Sequence, residues 1–389
     1  MKSLSERTKT FTDSVIRRMT RVSNLYNAVN LSQGFPDFDP PGELTHALSY
    51  VAANGPHQYS ITWGAKNFRE ALAAKQEHFT GMKVDPEREI VVTCGSTEGM
   101  MASMMSLVNS GEKVAVFSPF YENYGADAIL SGAEPIYIPL RPPEFLFDEK
   151  ELEETFRKGA KVLILCNPSN PCGKVFTYEE LSTIARIVEK YDAYVITDEV
   201  YEHIIYAPHK HISFATLPGM RERTIICSSL SKTYSITGWR LGYVIAPPAI
   251  TETIRKVHDF LTVGAASPLQ EAALTALKFD DKYYKNLQEK YTSLRQYFLA
   301  GLDKAGIQHT TPQGAYYVLA DISEFGYESD LEFCEVLAEK VGVGAVPGSS
   351  FFKEDVRNLI RFHFAKKEST LQEALSRLMK IRELMPYKK

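Results

Sequence analysis

The chain is expected to be an α/β protein, with a large unit built on a mostly parallel, helix-covered sheet and a smaller α+β unit beside it. Three features of the sequence point there. From Gly111 onward, short β-branched runs alternate with helical patterns, as βαβ units require. Several of those runs are apolar throughout, the mark of strands covered on both faces. Past about Phe279 the texture changes to a long charged helical pattern and then isolated strand-like stretches between helices, which reads as a separate unit.

Taken in order, the amino-terminal stretch MKSLSERTKTFTDSVIRRMT alternates charged and apolar residues and contains no signal-like apolar core. No segment reaches about 18 uncharged apolar residues, so a cytoplasmic protein without a membrane partner is expected. The prolines Pro36, Pro40 and Pro41 exclude helix from FPDFDPPGEL, and residues 1–45 are expected to cross between the two units. EIVVT precedes a helix opening at CGSTEGMM. Strands are then expected at 113–117, 134–140, 161–166, 193–198, 224–229 and 242–246. Between them, Leu181, Ile184, Ala185 and Val188 share one face of a helix over 177–190. A long helix over 281–305, a strand in AYYVLADI, a helix near 331–340, a strand in NLIRFHFA and a final helix complete the chain. The expected division is a large domain of 46–284 and a small domain of 1–45 with 285–389.

With 389 residues, 44% hydrophobic and 24% charged, the composition is that of a folded protein with a large core. A net charge of −4 supplies no global positive field, so nucleic acid is not an expected partner. The odd set Cys94, Cys166, Cys172, Cys227 and Cys334 contains no CxxC pair, reads as reduced cytosolic thiols and predicts no metal site.

Ligands of parallel sheets sit beyond the carboxyl ends of the strands, so the residues that follow each strand carry the functional argument. Ser96 and Thr97 open a helix and read either as plain caps or as a cradle for a phosphate. Phe120 and Tyr121 read as core packing or as a plate for a planar ring. Asn167 and Asn170 each precede a proline, which makes a rigid turn or fixes an amide for binding. Asp198 ends an apolar strand, where it reads as a helix or turn cap or as a buried acid that needs a cationic or hydrogen-bonding partner. Lys232 lies among hydroxyls just past another strand, with Ser229 before it and Arg240 after it. An anion cradle, a plate, an amide, a carboxylate and a lysine together meet the needs of pyridoxal phosphate.

The motifs GSTEGM, NPSNPCG, ITDEVY, SLSKTYSITGWR, PGSSF and NLIRFHFA resemble the successive signatures of class I pyridoxal-phosphate-dependent aminotransferases, of the aspartate aminotransferase superfamily and PLP fold type I. The resemblance runs from QGFPDF to the final helix and implies a seven-stranded sheet in the large domain. It implies that Lys232 forms the Schiff base, that Asp198 pairs with the pyridine nitrogen, and that Tyr201 and Asn170 contact the phenolic oxygen. It implies a phosphate site of Gly95, Ser96, Thr97, Ser229 and Arg240, and a ring stacked on Tyr121. Arg361 would clamp the substrate carboxylate, helped by Asn170 and the backbone at Gly34. Tyr59 would reach the phosphate of a neighbouring subunit, so a homodimer is expected.

The activity so implied moves the amino group of an L-amino acid to a 2-oxo acid by a ping-pong cycle. QGFPDF is most similar to the glutamine, kynurenine, aromatic and methionine branch; an aspartate aminotransferase and a carbon–sulfur β-lyase on the same framework stay open. Tyr26, Phe35, Tyr59, Trp63 and Tyr124 are candidates for a side-chain pocket. Arg17, Arg18 and Arg21 read as a solvated helix face or as contacts for a second carboxylate.

Overall fold

Seven strands make the central sheet of the computed structural model, which describes residues 3–9, 11 and 13–387. Met1, Lys2, Thr10 and Thr12 of the amino-terminal stretch lie outside the described residues, as do Lys388 and Lys389. The strands are β1 (Ile90–Thr93), β2 (Lys113–Ser118), β3 (Glu134–Pro139), β4 (Ala160–Cys166), β5 (Tyr194–Asp198), β6 (Thr224–Ser229) and β7 (Gly242–Ile245). Each lies within a residue of its expected position. They are ordered β1-β7-β6-β5-β4-β2-β3, and every neighbouring pair is parallel except the two that β7 makes.

That reversal has a local cause with a functional result. A parallel return needs a crossover, usually through a helix, whereas the 230–241 connection carries only the 3-10 turn Thr237–Trp239. The chain therefore comes straight back as β7, which leaves Lys232 and Arg240 together at the carboxyl end of β6. Cys166 of β4, Asp198 of β5 and Cys227 of β6 lie in register, so the three strand ends are nearly level.

Helices cover both faces. The helix Tyr178–Lys190 begins at a capping box in which Thr177 and Glu180 satisfy each other's backbone N–H, and it buries Leu181, Ile184, Ala185 and Val188 as the spacing predicts. The long helix Asp281–Lys304 is capped by Asp280 and buries Leu287, Tyr291, Leu294, Phe298 and Leu302 along one stripe. Beyond it lies a three-stranded antiparallel sheet, β8 (Tyr317–Asp321), β9 (Val346–Pro347) and β10 (Leu359–His363), ordered β9-β10-β8. Met19 and Leu31 of the amino-terminal segment share one apolar cluster with Phe298, Phe362 and Leu371. Val29–Asn30 also pairs in parallel with Val343–Gly344. The helix expected over 331–340 is α-helical only over Asp330–Val336 and closes in a π turn, Leu337–Val341, where Gly342 takes φ 77°. No helix of the described residues is long and apolar enough to cross a membrane.

Candidate active site

A cavity of about 480 Å³ opens beyond the strand ends and against the segment that follows β1. It is lined by Gly34, Ser96, Thr97, Tyr121, Asn170, Asp198, Tyr201, Ser229, Lys232, Arg240 and Arg361, drawn from sequence positions more than 300 residues apart. The helix Val15–Leu25 borders the cavity through Ile16 and Arg17, and its start is held by Glu122: the carboxylate accepts from the Ser14 hydroxyl and from Val15 N–H at 3.2 Å.

One end of the cavity is built for an anion. The helix Ser96–Leu107 is preceded by Gly95 at φ 80°, and no side chain caps it. Its first N–H groups are therefore free, at the positive end of the helix dipole. Two glycines allow the convergence: a Cβ on Gly95 would lie 2.2 Å from the Arg240 guanidinium, and one on Gly242 would lie 2.4 Å from Ser96 N. Arg240, in the left-handed region at φ 54°, is steadied by donating to Thr237 O at 3.0 Å. The Ser96 hydroxyl is buried without a partner. Ser96 is thus no cap: Gly95 holds that position, and the Ser96 hydroxyl is left over at the start of the helix.

Asp198 forms the opposite end. Its carboxylate accepts from the Tyr124 hydroxyl at 2.7 Å and from Val200 N–H at 3.3 Å. Burial pushes the carboxyl up, while Tyr124, Val200 and the Lys232 charge draw it back. Behind it, Glu199 accepts from Thr197 at 2.8 Å and Ser213 at 3.0 Å and pairs with His211 at 2.8 Å. Glu202 accepts from Lys75 at 3.0 Å, and that ion pair holds its carboxyl well below the usual range despite burial. Glu199, Glu202 and His211 are grouped closely enough for a metal ion, but Lys75 already supplies a cation to Glu202. The strand end that carries Asp198 is thereby pinned on both sides.

Lys232 lies between the two ends, 3.4 Å from Gly34 O. Burial lowers its ammonium to about 8, with Arg240 and Arg361 adding to the effect and Asp198 opposing it. Across the cavity, Arg361 of β10 is fully buried. Nη1 donates to Asn170 Oδ1 at 2.7 Å, Nη2 donates to Ser32 O at 2.8 Å, and Nε has no partner. The guanidinium is held between the rings of Tyr317, at 4.3 Å, and Phe351, at 4.5 Å. Tyr201 shares a 2.8 Å hydrogen bond with Tyr317, and Tyr316 donates to Gly34 O at 3.0 Å.

Tyr59, expected at the phosphate of a neighbouring subunit, is 87% exposed and lies outside this chain's own cavity. Several other expectations need correction. Of the candidate pocket aromatics, only Phe35 and Tyr124 line it: Tyr26 is 40% exposed, and Trp63 packs under Arg255 at 4.4 Å. Gly95 is not in the cavity wall and acts through the closeness it allows Arg240. Arg17 reaches the cavity, whereas Arg18 pairs with Glu335 at 2.6 Å and Arg21 is exposed. Of the two Asn-Pro asparagines, Asn167 closes its own turn by accepting from Phe176 N–H at 3.1 Å, and Asn170 serves the cavity. Sequence reasoning missed Tyr124 as the partner of Asp198, Tyr317 as the partner of Tyr201, and Asp127.

A family model described as Aminotransferase class I and II matches residues 26–378. The chain is 36% identical over 369 residues to the methionine aminotransferase of Escherichia coli K12, which spans 95% of this chain and 96% of the relative. It is 33% identical to the kynurenine–oxoglutarate transaminase of Dictyostelium discoideum, over 97% of this chain and 96% of the other. The solved structure of the N-succinyldiaminopimelate aminotransferase of Mycobacterium tuberculosis superposes with a TM-score of 0.94 at 35% identity, covering 97% of this chain and 99% of that one.

Proposed function

Starting from a chain that belongs to the class I and II aminotransferases, and is a pyridoxal-phosphate-dependent transaminase, we propose how its own residues divide the work and which substrates it takes. The single observation that carries the assignment is the convergence, in one cavity, of an anion cradle, a buried acid and a lysine of lowered basicity between them.

The residues fit the cofactor. Ser96, Thr97, Ser229 and Arg240 hold its phosphate, the orphaned Ser96 hydroxyl being one donor, and Gly95 lets Arg240 approach. Tyr121 would face the ring, Asp198 would hold the proton of the ring nitrogen, and Tyr201 with Asn170 would serve the phenolic oxygen. Bound there, the cofactor supplies an electron sink that makes the α-proton of an amino acid acidic. Lys232 would be the residue that anchors the cofactor, and its amine is the group placed to take and return the α-proton. A basicity near 8 suits both tasks, because an appreciable share of the amine is neutral near physiological pH. Arg361 presents a planar fork to the substrate carboxylate, and Gly34 lines the same end. Its ring sandwich and the bond to Asn170 fix that fork before substrate arrives.

We infer a ping-pong cycle between an L-amino acid of the glutamine, aromatic, kynurenine or methionine type and a 2-oxo acid. Phe35 and Ile16 of the cavity wall, which have no cofactor role above, offer such side chains apolar surface, and the relatives named for methionine and kynurenine support this reading. The enzyme is proposed to work as a cytoplasmic homodimer, with a large domain of 46–284 and a small domain of 1–45 and 285–389. Supporting the dimer, exposed Tyr59 and Ile61 adjoin exposed Phe260, Leu261 and Val263, the two segments being tied by a Thr62–Asp259 bond of 3.3 Å.

The test is turnover-free. Purified protein loaded with pyridoxal phosphate is mixed with single amino acids, and its absorption is followed. Glutamine, methionine or an aromatic amino acid should convert the cofactor to its aminated form, and Lys232→Ala should not. Conversion by aspartate alone would overturn the substrate class, and release of pyruvate from cysteine without amination would identify a β-lyase.

A further inference from the structure

Asp127 is a buried acid of the cavity that the account above leaves without a task. It is 4% exposed, it lines the cavity that holds Asp198, and its Oδ2 has no hydrogen-bond partner. An unpaired buried carboxyl is costly and calls for an explanation. Its position supplies one. On the helix Asn123–Leu130, Asp127 follows Tyr124 by three residues, so the two side chains share a face. Tyr124 donates to Asp198 at 2.7 Å. Tyr124 and Asp127 thus face the same cavity as the carboxylate that would serve the ring nitrogen, and Asp127 lies near enough to feel its charge.

We propose that Asp127 is a positioning residue acting through Asp198: when ionised, it sets a second negative charge behind the ring nitrogen and holds the cofactor's proton more firmly; when protonated, it releases that hold. This inference rests on the cofactor reading above. Burial and the charge of Asp198 together raise the Asp127 carboxyl to about 7, so it changes charge within the working range of the enzyme. Its thiol and phenol neighbours stay uncharged there, whereas Lys232, lowered to about 8 in the apoprotein, changes charge in the same range. On β6 the Cys227 thiol is pushed far up by burial, and on β3 the Tyr137 hydroxyl, near Gly125, is likewise raised. Tyr124 stays protonated. Glu98, the ionisable residue of the packed helix Ser96–Leu107, turns instead to His258 at 2.9 Å. Lys232 acts on Asp198 from across the cavity.

The experiment follows the ring-nitrogen signal of holoenzyme loaded with 15N-labelled pyridoxal phosphate by NMR, from about pH 5 to about pH 9, in wild type and Asp127→Asn. Asparagine matches the protonated acid in size and charge. The two curves should therefore coincide at the acid end and part above neutrality, the wild type keeping its cofactor proton to a pH about one unit higher. Asp127→Glu should restore the wild-type curve, and Asp127→Ala should follow the asparagine variant if that one folds poorly. Coincident curves at every pH, or curves displaced equally at every pH, would overturn the inference. Absence of a bound-cofactor signal in the wild type would instead remove the cofactor reading, and this inference with it.

Discussion

Lys232 and Arg361 show how single side chains are tuned by what surrounds them. Because burial lowers the Lys232 ammonium to about 8, the rate at which the apoprotein captures pyridoxal phosphate should rise as pH climbs through that value and then level off. A stopped-flow pH profile checks this; a flat profile would mean that the amine is already free. Arg361→Lys keeps the charge but loses the fork, and the lost hydrogen bonds of about 2 kcal/mol should lower kcat/KM for the amino acid roughly thirtyfold while cofactor affinity is retained. Asp127 makes a stability prediction for the apoprotein. Its folded carboxyl binds a proton up to about 7, whereas an unfolded one releases it near 4, so the folded state holds the extra proton between those values. Its contribution is intact below about pH 4 and is lost as pH rises through 7. Denaturant melts of wild type and Asp127→Asn should therefore diverge across that window, the variant gaining relative stability toward pH 7.

At the scale of elements, the phosphate cradle depends on a meeting of β7, the β1 turn and the helix Ser96–Leu107. Gly242→Ala would drive a methyl into the backbone at Ser96 and should weaken pyridoxal phosphate binding at least tenfold, measured by equilibrium dialysis. By contrast, Thr177→Ala removes one half of a capping box far from the cavity; it should cost about 1 kcal/mol of stability and leave cofactor binding alone. These elements were largely legible in the sequence, because strands buried on both faces are written as continuous apolar runs and the helix stripes repeat at helical spacing. What crosses between elements was not. The Tyr124–Asp198 bond joins residues 74 apart and the Tyr201–Tyr317 bond joins residues 116 apart, and no local pattern announces either. Asn167 and Asn170 have the same local context, and only the fold decides that one closes a turn while the other meets Arg361. The π turn at Leu337–Val341 escaped for a related reason, since its apolar spacing continues that of the α-helix before it.

For the whole molecule, the exposed apolar edge around Phe260 and Tyr59 bears on assembly. Phe260→Asp should convert a dimer to monomer in analytical ultracentrifugation, and loss of the neighbouring Tyr59 should then lower cofactor affinity; a wild type that sediments as a fully active monomer would refute the shared site. The central claim, however, is that one lysine between an anion cradle and a buried acid holds the cofactor. Reducing the holoenzyme with borohydride fixes the cofactor to the amine that carries it, and mass spectrometry of the digested protein identifies that residue. The account predicts one pyridoxyl group per chain, on Lys232, and none in Lys232→Ala. A label on any other lysine, or a wild-type chain left unlabelled, would contradict it.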